Sequence, residues 1–235
     1  MQEHSVLKER PNLILEACLL PHNNSFLWPR QIIKRFKCRG IQLFFTPLKQ
    51  SKARKSYMAA CHLLEHELDT PVPLGAIECR KLGFVVSNTL ITEVITDCID
   101  LKKYKKQLPE GRTGMDAVVR LLAQYITRMH DSGLWHRDLN LSNFLLTGKT
   151  GSHRLYLVDL NRAKILPKLS MHHRAGDIAR LELKRWQELF MHYYCADRFN
   201  IKQMTELAEK FRTRRRIWRN VIVRTNPMRI KLGWK

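Results

Sequence analysis

A run of ten residues around His136 limits the fold of this chain more than any other feature. From Leu134 to Asn143 the sequence reads LWHRDLNLSN, which places an acid at Asp138 and an amide five residues later. A second acid, Asp159, ends the apolar run YLVD, 21 residues after the first acid. Carboxylate and amide oxygens at such spacing, each next to apolar residues, indicate a polar site that could hold a hard cation such as Mg²⁺.

This spacing matches H-R-D-x-x-x-x-N, the catalytic loop of protein kinases, followed by a metal-binding acid. In phosphoryl transfer an Asp accepts the proton of the attacking hydroxyl, while an Asn and a second Asp hold the Mg²⁺ that neutralises the phosphates. The motif therefore predicts Asp138 as the catalytic base and Asn143 and Asp159 as metal ligands, with ATP and Mg²⁺ as cofactors. The alternative interpretation is that His136 and Asp138 only brace a buried turn.

A lysine at the end of an apolar run is the candidate anchor for the phosphates of ATP. The run QIIK ends at Lys34 and is similar to the V-A-I-K strand of kinases. Lys34 is also one of nine bases in a stretch without acids, so a solvated charge is the alternative. The adenine site is expected near the run LITEVI, with Glu93 as the candidate residue.

Two features depart from the kinase pattern. The helix after Lys34 should offer a glutamate to that lysine, yet Ser56 stands at the expected position, and Glu65 or Glu67 would have to substitute from further along. No glycine precedes Lys34, so the G-x-G-x-x-G flap over the phosphates is missing there. A weakly active enzyme and a pseudokinase are therefore alternatives.

Hydrophobic periodicity predicts strands around one helix in the first hundred residues, and mainly helices afterwards. The predicted strands are Phe26–Phe36, Gly83–Val86 and Thr89–Ile95, with a turn at Ser87-Asn88. The predicted helices are one capped by Ser51 that reaches Leu68, then Met115–Asp131, Asp177–Tyr194 and Ile201–Arg216. We predict an α+β, protein-kinase-like fold, with a small β-rich N-lobe at 1–96 and a larger helical C-lobe at 97–235.

The net charge indicates an anionic partner. The chain has 42 Lys plus Arg against 21 Asp plus Glu, which gives +21. Nine bases and no acids lie between Arg30 and Tyr57, and eleven bases face two acids between Lys202 and Lys235. Nucleic acid, an acidic membrane surface and a phosphorylated substrate all fit such patches. The N-terminus does not match an export signal, so a cytoplasmic location is expected.

Beyond the kinase loop, the chain resembles the lipopolysaccharide core kinases (the Kdo/WaaP family), which are protein-kinase-like enzymes of Gram-negative bacteria. The resemblance is carried by MHDSGLWHRD at 129–138, FLL at 144–146 and VDLNRA at 158–163, where D-L-x-R-A replaces the D-F-G of protein kinases. It extends to the helix that contains Arg174–Ile178 and to the basic helix at Arg212–Arg219.

This resemblance implies ATP-dependent phosphorylation of a sugar hydroxyl, on Kdo or heptose, in the lipopolysaccharide inner core. It also implies an anionic glycolipid substrate and peripheral contact with the cytoplasmic face of the bacterial inner membrane. Nucleic acid becomes the less favoured partner. The alternatives are a protein or small-molecule kinase of the same fold, and a basic nucleic-acid-binding pseudokinase.

A metalloprotease motif offers a competing interpretation of the first helix. His62, Glu65 and His66 fit the pattern H-x-x-E-H, which would place two zinc-binding histidines on one helix face with a glutamate as base. The pattern is short, and no third ligand is evident downstream in the sequence.

Overall fold

The computed structural model describes residues 5–6, 13–18, 31–37, 50–107, 114–148, 152–196 and 198–231. Three bases of the first basic stretch, Arg30, Arg39 and Lys49, lie outside the described residues. The same is true of the first five residues of the strand predicted at Phe26–Phe36.

The N-terminal part is an antiparallel five-stranded sheet with the order β1-β2-β3-β5-β4. Its strands are Ser5–Val6 (β1), Leu13–Cys18 (β2), Gln31–Lys37 (β3), Pro73–Lys81 (β4) and Phe84–Glu93 (β5). In the central strand β3, Lys34 is paired with Leu15 on one side and Leu90 on the other. The sheet therefore holds the backbone of this lysine from both sides.

One helix, α1 (Lys52–Glu65), packs on this sheet. Ser51 caps it, as predicted, because the Ser51 hydroxyl accepts a hydrogen bond from the backbone N–H of Arg54 at 3.1 Å. Ala53 of α1 is buried with Phe36 and Leu90 in a small apolar cluster between helix and sheet.

The turn predicted at Ser87-Asn88 is wrong, because β5 runs without interruption from Phe84 to Glu93. Asn88 is buried, and its side-chain oxygen accepts a hydrogen bond from the backbone N–H of Ala53 at 2.9 Å. A residue type that usually indicates a turn thus serves here to fix the start of α1 on the sheet. The actual turn lies at Leu82-Gly83, where Gly83 has a φ of +81°.

The C-terminal part is mainly helical, with short strands between the helices. The helices are Leu101–Gln107 (α2), Gly114–Asp131 (α3), Met171–Ile178 (α4), Gln187–Cys195 (α5) and Ile201–Lys231 (α6). The strands are Cys98–Asp100 (β6), Leu134–Trp135 (β7), Phe144–Thr147 (β8), Arg154–Leu157 (β9) and Lys164–Ile165 (β10). Strands β6, β8 and β9 form one small sheet, and β7 pairs with β10.

Helix α3 forms the centre of the larger core. Its side chains Val118, Leu122 and Ile126 are fully buried, as the apolar stripe predicts. The helix ends as expected before Gly133, which has a φ of +86°. A Cβ at this glycine would lie 2.1 Å from the carbonyl oxygen of Leu166. The turn that leads into the catalytic loop therefore requires glycine.

The single helix predicted at Asp177–Tyr194 is wrong. The chain forms two helices there, α4 and α5, separated by an irregular segment in which Lys184 has a φ of +54°. Arg180 begins this segment, and its guanidinium points to Asp138 instead of continuing a helix surface. The last helix, α6, is longer than the predicted Ile201–Arg216.

The predicted fold class is confirmed, with a small strand-rich N-terminal part and a larger helical C-terminal part. The predicted boundary between residues 96 and 97 falls in the segment that connects β5 to β6, and it stays a prediction.

Candidate active site

Lys34 of the N-terminal part and Asp159 of the C-terminal part are in direct contact. The Lys34 Nζ lies 2.5 Å from the Asp159 Oδ1, and both side chains are mostly buried, with exposed fractions of 16% and 27%. Lys34 arrives on β3 of the large sheet, whereas Asp159 follows β9 of the small one. The structure thus brings together two residues that the sequence indicated separately.

The backbone holds Asp159 in an unusual conformation. Its φ of 64° and ψ of 50° lie in the left-handed region, which is uncommon outside glycine and tolerated best by Asp and Asn. Its Oδ1 also accepts a hydrogen bond from the Asn161 Nδ2 at 2.6 Å. Just before it, the N–H of Val158 donates to the carbonyl of Asn143 at 2.8 Å, which ties this turn to the catalytic loop.

Asp138 lies on the catalytic loop and is held by two arginines. Its Oδ1 accepts a hydrogen bond from Arg180 at 2.9 Å, and its Oδ2 lies 3.2 Å from the Arg162 guanidinium. About a quarter of the Asp138 side chain is exposed. A substrate hydroxyl can therefore reach the carboxylate, in competition with the two guanidinium groups.

Asn143 is buried beneath Asp138. Its Nδ2 donates to the backbone carbonyl of Asp138 at 2.9 Å. Among the residues that the structure describes, no donor contacts its Oδ1. The amide is therefore oriented with its oxygen available to a ligand.

A buried aspartate, Asp177, fixes the backbone of the catalytic loop, and its role was not recognised from sequence. Its two carboxylate oxygens accept the backbone N–H groups of His136 at 2.9 Å and Arg137 at 2.8 Å. Arg137 has a φ of 68°, so these bonds support a strained turn directly before Asp138. The sequence did offer a signal for this role, namely an acid within an amphipathic helix after the loop. A buried acid requires strong hydrogen-bond partners, and the loop could supply them.

A network of polar residues extends from Asp177 into the core. The Nε2 of His130 lies 3.5 Å from the Asp177 Oδ2. The Nδ1 of His130 is hydrogen-bonded to the Tyr194 hydroxyl at 2.7 Å. Burial lowers the pKa of His130, although Asp177 opposes the shift. Arg174 closes the network through its bond to Asp131 at 2.9 Å. This network anchors the loop to α3, α4 and α5.

His136 is fully buried inside the turn of the catalytic loop. Its Nδ1 accepts the backbone N–H of Asp138 at 3.2 Å. Burial lowers the pKa of His136, against the opposing effects of Asp177, Asp159 and Asp138. The imidazole is therefore neutral at physiological pH and shapes the loop from within.

The glutamates proposed as substitutes for the helix glutamate do not pair with Lys34. Glu65 is exposed, and Glu67 lies 3.5 Å from Arg128. Ser56 is buried in α1, where its hydroxyl donates to the carbonyl of Lys52 at 2.8 Å. The partner of Lys34 in this structure is Asp159 instead.

Glu93 is the last residue of β5, opposite Gln31, and it is half-buried. Its backbone N–H donates to the carbonyl of Val72 at 3.0 Å. Its assignment to the adenine site stays a prediction.

The metalloprotease interpretation finds no support in the geometry of α1. The His62 Nε2 lies 2.8 Å from the carbonyl oxygen of Ser132, so this nitrogen donates a proton and cannot bind zinc. The His66 Nδ1 likewise lies 2.8 Å from the carbonyl of His62. Over the described ranges of the chain, no three His, Cys, Asp or Glu residues cluster as metal ligands.

The carboxylate of Asp159 and the amide oxygen of Asn143 fit Mg²⁺ by their chemistry. Mg²⁺ usually takes one or two protein oxygens and completes its shell with water and substrate phosphates. A set of three protein ligands is therefore not required. When bound, this ion would supply neutralisation of the nucleotide phosphates.

Comparison with known proteins identifies the family. Residues 35–210 match the model of the lipopolysaccharide kinase (Kdo/WaaP) family. The chain belongs to this family. The matched residues contain Asp138, Asn143 and Asp159, and they begin directly after Lys34.

Curated members of the Kdo/WaaP family are similar at a moderate level. The 3-deoxy-D-manno-octulosonic acid kinase of Vibrio cholerae serotype O1 is 22% identical over 139 residues, which cover 59% of this chain and 55% of that protein. The lipopolysaccharide core heptose(I) kinase WaaP of Escherichia coli K12 is 28% identical over 134 residues, covering 54% and 50%. The alignments thus span about half the length of these relatives.

A solved structure supports the fold. A structure of WaaP in complex with acyl carrier protein superposes with a TM-score of 0.63 at 19% identity, over 89% of this chain and 89% of that one. At this identity the likeness shows the kinase-like fold of the Kdo/WaaP family.

Proposed function

We propose that this protein is an ATP-dependent kinase that phosphorylates a sugar hydroxyl, on Kdo or heptose, in the inner core of lipopolysaccharide. The curated relatives in the family carry the names of such kinases. The observation that carries the proposal is that Lys34, Asp138, Asn143 and Asp159 are connected by direct contacts. Lys34 contacts Asp159, Asn143 bonds to the backbone of Asp138, and the residue before Asp159 bonds to Asn143.

Each of these residues has a role that follows from its position. Asp138 is exposed enough to accept a proton from the attacking hydroxyl, whose oxygen bonds to the γ-phosphorus of ATP as the bond to the leaving ADP breaks. Lys34 is a compact, mostly buried cation beside Asp159 and orients the phosphates of ATP. Asn143 and Asp159 would hold Mg²⁺ through their oxygens, and Glu93 would lie at the edge of the adenine site.

The ion pair between Lys34 and Asp159 supports this assignment without a helix glutamate. In the kinase pattern, a glutamate of the first helix positions the lysine. Here Asp159 itself contacts Lys34, so the lysine is already directed to the position of the phosphates. This geometry favours an active enzyme over a pseudokinase.

The direct test is phosphate transfer from γ-labelled ATP to purified inner-core glycolipid. We expect transfer by the wild type and a loss of about 100-fold or more in Asp138→Asn and Asp159→Asn, the scale for general-base and charge-stabilising groups. Asp97→Asn removes an exposed acid in the segment between β5 and β6, serves as the charge-matched control and should retain activity. Equal activity in all four proteins would refute the mechanism.

Helix α6 has the properties of a surface that contacts an anionic membrane. Ile217, Trp218 and Val221 expose 57%, 59% and 46% of their area on this basic helix. Apolar side chains flanked by bases suit the interface of an anionic bilayer, where the substrate glycolipid resides. Within the described residues, no helix is both long and apolar enough to cross a membrane. Peripheral binding at the inner face of the membrane is therefore part of the proposal.

Vesicle sedimentation tests this contact. Binding to vesicles that contain phosphatidylglycerol should exceed binding to pure phosphatidylcholine, and Ile217→Ala with Trp218→Ala should weaken it by about tenfold. Ile77→Ala is the matched control, because Ile77 is exposed to a similar degree, 58%, on the sheet. Undiminished binding of the double variant would exclude this surface.

The alternative functions give different results in the same preparations. A protein or small-molecule kinase would hydrolyse ATP, or transfer its γ-phosphate to another acceptor, but would leave the glycolipid unlabelled. A nucleic-acid-binding pseudokinase would show a salt-sensitive RNA complex and no phosphate transfer.

A further inference from the structure

A pocket of cationic side chains lies next to the arginine that holds Asp138. It has a volume of about 540 Å³ and is formed between α6 and the segment after α4. Ala179 and Leu181, the two neighbours of Arg180, line one wall, and Arg215, Arg216 and Arg219 line the other. We call these three arginines and their surroundings the basic pocket.

The basic pocket has more cationic than anionic side chains, because Lys184 and four arginines line it beside Glu182 and Glu209. Over the described ranges, no carboxylate forms an ion pair with Arg215, Arg216 or Arg219. Arg212 also lines the pocket, but its guanidinium donates hydrogen bonds to the side chains of Glu209 and Gln187. Arg215, Arg216 and Arg219 therefore remain available to an anionic ligand.

Arg215 lies close enough to Asp138 for the two charges to interact. It is half-buried, and burial together with Arg180 and Arg219 lowers its pKa, whereas Asp138 and Glu182 act in the opposite direction. Three guanidinium groups thus repel one another beside the catalytic acid. An anion bound among them would remove this repulsion.

We propose that the basic pocket binds a negatively charged substituent of the acceptor, a phosphate or a carboxylate, and thereby places a neighbouring hydroxyl at Asp138. The inference rests on the proposed kinase function and specifies the chemistry of its substrate. Guanidinium groups bind phosphate and carboxylate through paired hydrogen bonds, which fix orientation as well as position.

Arg180 connects recognition to catalysis. It contacts Asp138 at 2.9 Å and lies between two residues that line the basic pocket. The Arg180 guanidinium does not line the pocket itself, but its charge acts on Arg215. The basic pocket and the carboxylate of Asp138 are therefore neighbouring parts of one surface.

Kinetics of neutral variants test the proposal. In Arg215→Gln and Arg216→Gln, the KM for the glycolipid should rise by about tenfold, or about 1.4 kcal/mol, while the KM for ATP stays unchanged. Arg215→Lys should recover part of the loss, because it keeps the charge but not the paired hydrogen bonds. Lys103→Gln, an exposed charge on α2, is the control. An unchanged glycolipid KM in both glutamine variants would overturn the inference.

Modified acceptors distinguish the two possible anions. If phosphate is recognised, the wild type and Arg215→Gln should have the same KM for dephosphorylated glycolipid. If carboxylate is recognised, the two KM values should be the same when the sugar carboxylates are reduced to alcohols. A lower KM of the wild type with both modified acceptors would contradict the assignment.

A binding measurement separates this inference from the proposed function. Fluorescently labelled glycolipid is titrated into the same variants without ATP, and Arg215→Gln should bind about tenfold more weakly than wild type. Weaker binding supports the pocket even if no phosphate is transferred, in which case only the kinase assignment fails. Equal binding overturns the pocket.

Discussion

Lys34 and Asp159 are 125 positions apart in the sequence, but in the structure the Lys34 Nζ lies 2.5 Å from the Asp159 Oδ1. This ion pair joins the central strand of the N-terminal sheet to the turn after β9. It also takes the place of the contact with a helix glutamate that the kinase pattern leads one to expect.

Replacement of Lys34 should impair catalysis and leave folding largely intact. Lys34→Met should lower phosphate transfer by about 100-fold or more, because one preorganised cation is lost from the site. Lys37→Met is the matched control, since Lys37 lies on the same strand and is exposed. Activity and urea unfolding of both variants are measured together. Comparable activity of the two variants would show that Lys34 does not contact the phosphates.

Replacement of Asp177 should destabilise the catalytic loop. In Asp177→Asn, one of the two backbone N–H groups of His136 and Arg137 loses its acceptor, and the new amide donor faces another donor. We expect a loss of about 2–4 kcal/mol in the free energy of unfolding, because the site is fully buried. Asp116→Asn, at an exposed position of α3, should change stability by less than about 0.5 kcal/mol. Urea denaturation that gave equal midpoints for the two variants would contradict this role.

Replacement of Gly133 should be costly for a steric reason. Gly133→Ala combines a φ of +86° with a Cβ 2.1 Å from the carbonyl oxygen of Leu166, so the turn must shift. We expect at least about 2 kcal/mol of destabilisation, measured by thermal or urea unfolding. Gly75→Ala is the control, because its Cβ would meet no atom within 4 Å. A Gly133→Ala protein as stable as this control would refute the argument.

The buried histidines predict a loss of stability in mild acid. Burial lowers the pKa values of His130 and His136 below the unfolded value of about 6.5. The unfolded chain then binds protons that the folded chain excludes, so this contribution to stability is full above about pH 6.5 and decreases as the pH falls further. Each histidine contributes at most about 1.4 kcal/mol per pH unit.

Urea midpoints between about pH 7.5 and pH 5.5 measure this dependence. His130→Gln should be less stable than wild type at neutral pH but should show a shallower decline toward acid. His172→Gln removes an exposed histidine and should keep the wild-type slope. A parallel decline in all three proteins would mean that His130 does not contribute to it.

The catalytic loop could be predicted from sequence because its information is local. Asp138, Asn143 and the turn at Gly133 are specified by neighbouring residues and by the apolar stripe of α3. In the structure, Asn143 bonds to the backbone of Asp138 and to the residue before Asp159, while the catalytic and metal-binding roles stay predictions.

The errors arise where distant contacts override local preference. Asn88 reads as a turn residue, but its side chain bonds to the start of α1, and the strand continues through it. The segment around Arg180 reads as helix, yet the chain departs from helical geometry there and this arginine reaches Asp138. The partner of Lys34 was equally inaccessible, because no local pattern connects β3 to the turn at Asp159.

Helix α6 carries the basic pocket and the exposed apolar side chains only one turn apart. Arg215 and Trp218 are separated by three positions, or roughly 4.5 Å along the helix axis. When Trp218 inserts into a bilayer, the group that Arg215 binds therefore lies close to the membrane surface. The helix would thus select acceptors by their distance from the membrane. Sugars at the membrane surface would be phosphorylated, and sugars further out along the saccharide would be excluded.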